Sequence, residues 1–110
     1  RPGADPGTPP GLSRRAERDL NEIANYTRDR WGISQAIRYV VELRSLCQQL
    51  AEMPMLGRTC NAVRSGLRRM EGGKHVIFYR VNGDGITVSR ILHQTMLPDL
   101  HERYDSSKLA

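Results

Sequence analysis

Apolar positions recur along this chain with two different periods. Between residues 12 and 53 they fall three or four apart; between 66 and 93 they form short dense runs cut by glycine. The first pattern belongs to helices and the second to strands. In LSRRAERDLNEIANYTRDRWG, residues 12–32, one helical face carries Ala16, Leu20, Ile23, Ala24, Thr27 and Trp31. Ser13 is placed to cap the free N–H groups of the first turn, Glu17 suits the positive helix start, and Gly32 is a natural stop. A second helix is expected from about Ser34, as its cap, to about Met53. Its stripe is Ala36, Ile37, Val40, Leu43, Cys47, Leu50 and Ala51, and Pro54 and Gly57 end it. So short a connection predicts an antiparallel helical hairpin pinned by Trp31 packing near the turn.

The strand-like stretch reads GLRRMEGGKHVIFYRVNGDGITVSRILH, residues 66–93. Turns at Gly72-Gly73 and at Asn82-Gly83-Asp84-Gly85 divide it into a three-strand antiparallel meander. PMLGRTCNA, residues 54–62, reads as a loop into the first strand, VRSGLRRM. The fold class is therefore α+β, a helical hairpin on a small sheet. Strict alternation sets Ile86, Val88, Arg90 and Leu92 opposite Thr87, Ser89, Ile91 and His93, and Val76, Phe78 and Arg80 opposite Ile77, Tyr79 and Val81. Both faces come out mostly apolar. The helices cover one; the other is covered by something else or left as a patch fringed by arginine, the mark of a protein-binding site. Arg64, Arg68, Arg69, Arg80 and Arg90 are candidates to line one concave surface, the alternative being solvated strand ends paired with local carboxylates. Residues 1–11, rich in proline and glycine, form an extended or disordered lead-in; 12–96 form the domain; 97–110 are a tail, with at most a short helical turn after His93.

Composition narrows the chemistry. At 110 residues this is one domain, and 38% hydrophobic with 5% aromatic residues gives a modest, aliphatic core. The formal charge is +5, carried almost wholly by arginine, with Lys74 and Lys108 the lysines. Arginine recognises carboxylate or phosphate bidentately, so the charge suits an acidic protein partner as well as a nucleic acid. Cys47 lies on an apolar stripe and Cys60 in a loop; neither has zinc-like spacing, and no metal or cofactor is expected. A reducing cytoplasm is the natural compartment, and no apolar run approaches a membrane span. GxxxxGK[ST], GxGxxG, HExxH and GxSxG are all missing, and the chain is not expected to be an enzyme. Glu17, Asp19 and Glu22, beside Arg14, Arg15 and Arg18, read as a solvated mixed-charge face. His93 reads as a structural histidine.

Several stretches together carry a family resemblance: LSRRAERDLNEIANYTRDRWG at 12–32, QAIRYVVEL at 35–43, LAEMPMLGR at 50–58, VRSGLRRMEGGKHVIFYRV at 63–81 and ITVSRILHQTM at 86–96. The chain resembles the ParE branch of the ParE/RelE superfamily of bacterial toxin–antitoxin toxins. The resemblance implies a toxin that inhibits DNA gyrase and is neutralised by a ParD-like antitoxin in a hetero-oligomer, a heterotetramer or larger. It implies no sequence-specific DNA binding by this chain alone and no membrane association. On that reading Arg68, Arg69, Arg80, Arg90, His93 and Met96 are assigned to toxicity or target binding. Leu20, Ile23, Tyr26, Trp31, Arg64, Leu67 and Phe78 are assigned to the antitoxin. Two departures stand out. The short strand such chains carry before the first helix falls here on Thr8-Pro9-Pro10-Gly11, and the pattern resembling LHxRMD has Thr95 for arginine and Leu97 for aspartate. Two alternatives stay open: a RelE-type ribosome-dependent mRNA endonuclease, with Arg64, Arg68, Lys74, Arg80 and Arg90 supplying charge and His93 or Tyr79 a proton, and a toxin that has lost activity but still binds its antitoxin.

Overall fold

Ser13 joins the first helix to the last strand. Its hydroxyl accepts the N–H of Ala16 at 3.0 Å and donates to the carbonyl of Ser89 at 2.8 Å, while its own N–H reaches Val88 at 2.9 Å. One side chain thus caps helix α1 (Arg14–Trp31) and fixes it against the sheet. The structure, a computed structural model, describes residues 11–83 and 85–97. The expectations placed on residues 1–10, on Asp84 and on the tail from residue 98 lie outside the described residues.

The α1 stripe buries Ala16, Leu20, Ile23 and Thr27, and Gly32, at φ 93°, ends the helix with its N–H on the Arg28 carbonyl. Only glycine takes that backbone region at no cost. Helix α2 (Ile33–Glu52) follows at once, with Gly32 rather than Ser34 at its cap position. Ala36, Leu43, Cys47, Leu50 and Ala51 face inward as expected. Two expectations are corrected. Ile37 is 58% exposed, in line with Ile33 and Val41 on the outer side of α2, because i and i+4 share a face. Trp31 is 67% exposed, since the chain turns back at Gly32 before any described element covers the indole; Leu20, Ile23, Leu43 and Cys47 form the core between helices and sheet instead.

The meander forms the middle of a five-stranded sheet: β1 (Gly11–Leu12), β2 (Arg58–Thr59), β3 (Leu67–Gly72), β4 (His75–Asn82) and β5 (Gly85–His93), in the order β1-β5-β4-β3-β2. β1 runs parallel to β5, and the other pairs are antiparallel. The N-terminal strand is therefore present, two residues long and including Gly11, and residues 58–59 of the expected loop form a second edge strand. Strict alternation on β5 fails at Ser89. Tyr79 pairs with Val88 but Phe78 with Arg90, so Ser89 is an extra residue and the strand bulges. Ile86, Val88 and Ile91 consequently all join the core under the helices.

The second face of the sheet is not left as an exposed patch. Residues 63–66, expected to begin a strand, turn back instead: Val63 and Arg64 donate to the Cys60 carbonyl, Leu67 to Arg64, and Gly66, at φ 81°, to Asn61 Oδ1. That turn lays Cys60 and Val63 over Leu67, Val76, Phe78 and Leu92, joined by Leu97 from the other end. Both cysteines are free and buried, and burial pushes the Cys47 thiol up to about 11.

Candidate functional site

The sheet arginines do not converge. Arg68 pairs with Tyr79 and Arg69 with Phe78, whose side chains lie on opposite faces. Arg68 donates to the carbonyls of Gly57 at 2.6 Å and Met55 at 3.3 Å, and Arg80 to that of Ser65 at 2.8 Å. Arg69 and Arg58 share the Glu71 carboxylate; burial alone would raise that group, but the two arginines hold it below its usual range. Arg64 lies half-buried in the 60–66 turn. Arg90 grips Asp19 through Nε at 2.8 Å and Nη2 at 3.1 Å, and the Ile91 N–H donates to the same carboxylate at 2.9 Å. Asp19 is thus no part of a solvated face: it is 8% exposed and closes the β5 edge just beyond the end of β1. The single concave arginine surface is replaced by arginines that each bind their own chain.

Of the positions assigned to an antitoxin, Leu20, Ile23, Leu67 and Phe78 are buried in the chain's own core, while Tyr26 and Trp31 stand in solvent. These two rings border a groove between the outer end of α1, the start of α2 and the ends of β4 and β5. It consists of two adjoining cavities of about 350 and 520 Å³ that share Tyr26, His75 and His93. Met96 and Thr95 line the smaller; Trp31, Tyr39 and Lys74 line the larger. Arg90, His93 and Met96 therefore line one cavity, beside Asp19, Glu22 and Ile23, and apart from the contacts of Arg68, Arg69 and Arg80.

Local structure explains the floor of this groove. The extra residue at Ser89 shifts the hairpin register by one, which brings His75 opposite His93 rather than opposite Leu92. The two rings meet edge to face, 5.0 Å between centroids. Gly73, at φ 58°, makes the β3–β4 turn so close to α2 that a Cβ there would sit 2.8 Å from the Tyr39 hydroxyl. That hydroxyl receives the Lys74 N–H at 3.1 Å and lies 2.6 Å from His75 Nδ1. His93 Nδ1 accepts the Thr95 N–H at 3.1 Å, capping the 3-10 turn Gln94–Met96. Tyr39, Lys74 and His75 had no motif to announce them; a residue count that allowed for the bulge was the available signal.

Burial and the neighbouring His93 lower the His75 pKa from 6.5 to about 4. Because protonation is easier in the unfolded chain, this group contributes stability above pH 6.5 that is lost as pH falls toward 4. Allowing for solvent at the groove, a loss of ~1–2 kcal/mol is expected over that interval. Denaturant unfolding at a series of pH values should show it, and His75→Gln should flatten it.

Residues 12–98 match the family described as ParE toxin of the type II toxin–antitoxin system parDE. The chain belongs to the ParE toxin family. Toxin ParE1 of Mycobacterium tuberculosis is 45% identical over 86 residues, covering 77% of this chain and 88% of that one. Toxin ParE1 of Caulobacter vibrioides is 43% identical over 90 residues, covering 82% and 93%. A solved structure described as the chromosomal ParDE TA system from P. aeruginosa superimposes with a TM-score of 0.66 at 22% identity, covering 81% of this chain and 98% of the other. At that identity it establishes the shared fold, in which this ParE-family chain keeps its helical hairpin and mixed sheet. Among the described residues no helix is long and apolar enough to cross a membrane.

Proposed function

We propose that this chain is the toxin of a type II toxin–antitoxin module, inhibiting DNA gyrase and neutralised by direct binding of a ParD-like antitoxin in a hetero-oligomer. The observation that carries the antitoxin half is the solvent-facing line of Ile33, Ile37 and Val41 along α2, with Trp31 at the end of α1 beside it, each more than half exposed. Apolar side chains at i, i+4 and i+8 suit an amphipathic segment laid along the helix, and Arg30 and Arg38 beside them suit its carboxylates. Ile37→Asp is expected to leave thermal stability within ~0.5 kcal/mol of the parent, as for an exposed site. It should weaken antitoxin binding by about a hundredfold, ~2.7 kcal/mol. Calorimetric titration checks it; unchanged affinity would remove this face from the interface.

The gyrase half rests on family membership. The decisive measurement is supercoiling by purified gyrase, titrated with this protein and then with antitoxin. Inhibition reversed by the antitoxin supports the reading. A folded, antitoxin-binding protein with no effect on gyrase supports the reading of a toxin that has lost activity. That reading is favoured by one observation: Thr95 and Leu97, which depart from the family pattern, serve the fold here, Thr95 in the His93 cap and Leu97 in the core of the second sheet face. The nuclease reading loses support, because Arg68 and Arg80 are committed to carbonyl groups of their own chain and Tyr79 is buried.

A further inference from the structure

We propose that the larger cavity of the groove binds a phosphorylated planar ring, the chemistry of a nucleotide unit. The argument starts from proton positions. A backbone N–H can only donate, so His93 Nδ1, which accepts from Thr95, carries no proton in the neutral ring. The Tyr39 hydroxyl already accepts from the Lys74 N–H, and its own proton has His75 Nδ1 at 2.6 Å as its near acceptor, against 3.4 Å to the Gly72 carbonyl. Both imidazoles are therefore left as Nε2–H donors. With Lys74 they line one cavity, and among the described residues no carboxylate lines it, those of Asp19 and Glu22 bordering the adjoining one. Such a wall selects a ligand rich in acceptors and negative charge.

The rest of the cavity is aromatic. Tyr26 and Trp31 expose more than half their surface, Tyr39 is partly exposed, and the Arg30 guanidinium lies over the Tyr26 ring, 5.6 Å from its centroid. About 520 Å³ is within the range that holds a small ligand. Exposed aromatic faces beside cationic donors are the combination by which proteins stack a base and hold its phosphate. This inference does not rest on the gyrase or antitoxin reading, since it concerns the chain alone.

Trp31 is the one tryptophan of the sequence and reports directly. The full chain is titrated with AMP while Trp31 emission and the His75 and His93 imidazole chemical shifts are followed. All three signals are expected to move on one saturable curve, with adenosine and inorganic phosphate each at least tenfold weaker. Lys74→Ala should weaken AMP about tenfold without changing Tm. A short single-stranded oligonucleotide serves as the second arm: tighter binding than AMP places the nucleotide in a strand, equal binding makes it a free nucleotide. Adenosine binding as tightly as AMP, or a folded protein whose signals do not saturate with either nucleotide probe, would overturn the proposal. Tighter capture of an acidic peptide that excludes AMP would also overturn it and assign the groove to a protein partner.

Discussion

Gly57→Ala is expected to lower the melting temperature of this protein by about 15 °C, at a cost of ~3 kcal/mol. A Cβ at Gly57 would sit 2.5 Å from the Tyr79 hydroxyl and 2.6 Å from the Arg69 carbonyl. One contact is with a fully buried ring and the other with a backbone of the sheet, so neither neighbour has room to give. The clash also strikes a set of hydrogen bonds. Tyr79 Oη donates to the Pro54 carbonyl at 2.7 Å and accepts the Gly57 N–H at 3.0 Å, while Arg68 holds the Gly57 carbonyl at 2.6 Å. Together these bonds bring the chain from the end of α2 down to β2. Tyr79→Phe alone leaves the Gly57 N–H and Pro54 carbonyl without this partner, for ~1–3 kcal/mol. In the double variant one clash disappears with the hydroxyl, so the two costs should add to less than their sum. Thermal and urea unfolding of the two single variants and the double variant measure this; strict additivity would mean that the hydroxyl contact is not the source of the strain.

Gly57 also shows what was legible in the sequence. It reads as part of a helix stop, but α2 ends at Glu52 with Met53 at its cap position, and the role of Gly57 depends on Tyr79, twenty-two residues away, a distance no local pattern contains. The helices were readable because their signals are local: the Ser13 cap, the Gly32 stop and a periodic stripe all act within a few residues. The meander was readable for the same reason, through glycine turns and β-branched runs. Failures came where distant parts decide. Trp31 looks like a core residue, yet among the described residues none covers its ring, which is 67% exposed. Ile37 and Ala36 are adjacent on a helix and equally apolar by pattern, and only the direction of the sheet tells which one faces in. A single extra residue at Ser89 changes which β5 side chains meet the helices and creates the His75–His93 pair, yet bulges leave no fixed sequence mark. The sheet arginines scatter because their acceptors do: Arg69 meets Glu71 two residues on, the local pairing that stood as the alternative, while Arg68, Arg80 and Arg90 find theirs on segments remote in sequence.

Arg90 tests that last point. The family resemblance assigns it to target binding, yet its side chain is 14% exposed and clasps Asp19, itself 9% exposed at the side chain. Removing one member of a buried, hydrogen-bonded ion pair costs ~3–5 kcal/mol, mainly because the remaining charge keeps its desolvation without its partner. Asp19→Ala should fall in that range, for it also takes the acceptor from the Ile91 N–H at the open edge of β5. Arg90→Met should be destabilising as well. The double variant is expected to recover at least ~1 kcal/mol relative to the sum of the single changes, since neither charge is then left facing a vacated site. On the proposed function, any loss of gyrase inhibition in Arg90→Met should accordingly track the fall in melting temperature and return on cooling. Met96→Asp makes the contrast: its side chain is 58% exposed on the groove, so the melting temperature should hold while any target contact there is lost. If Arg90→Met instead abolished inhibition with its melting temperature intact, Arg90 would act on the target directly, and the Asp19 pair would be a positioning contact rather than a structural one.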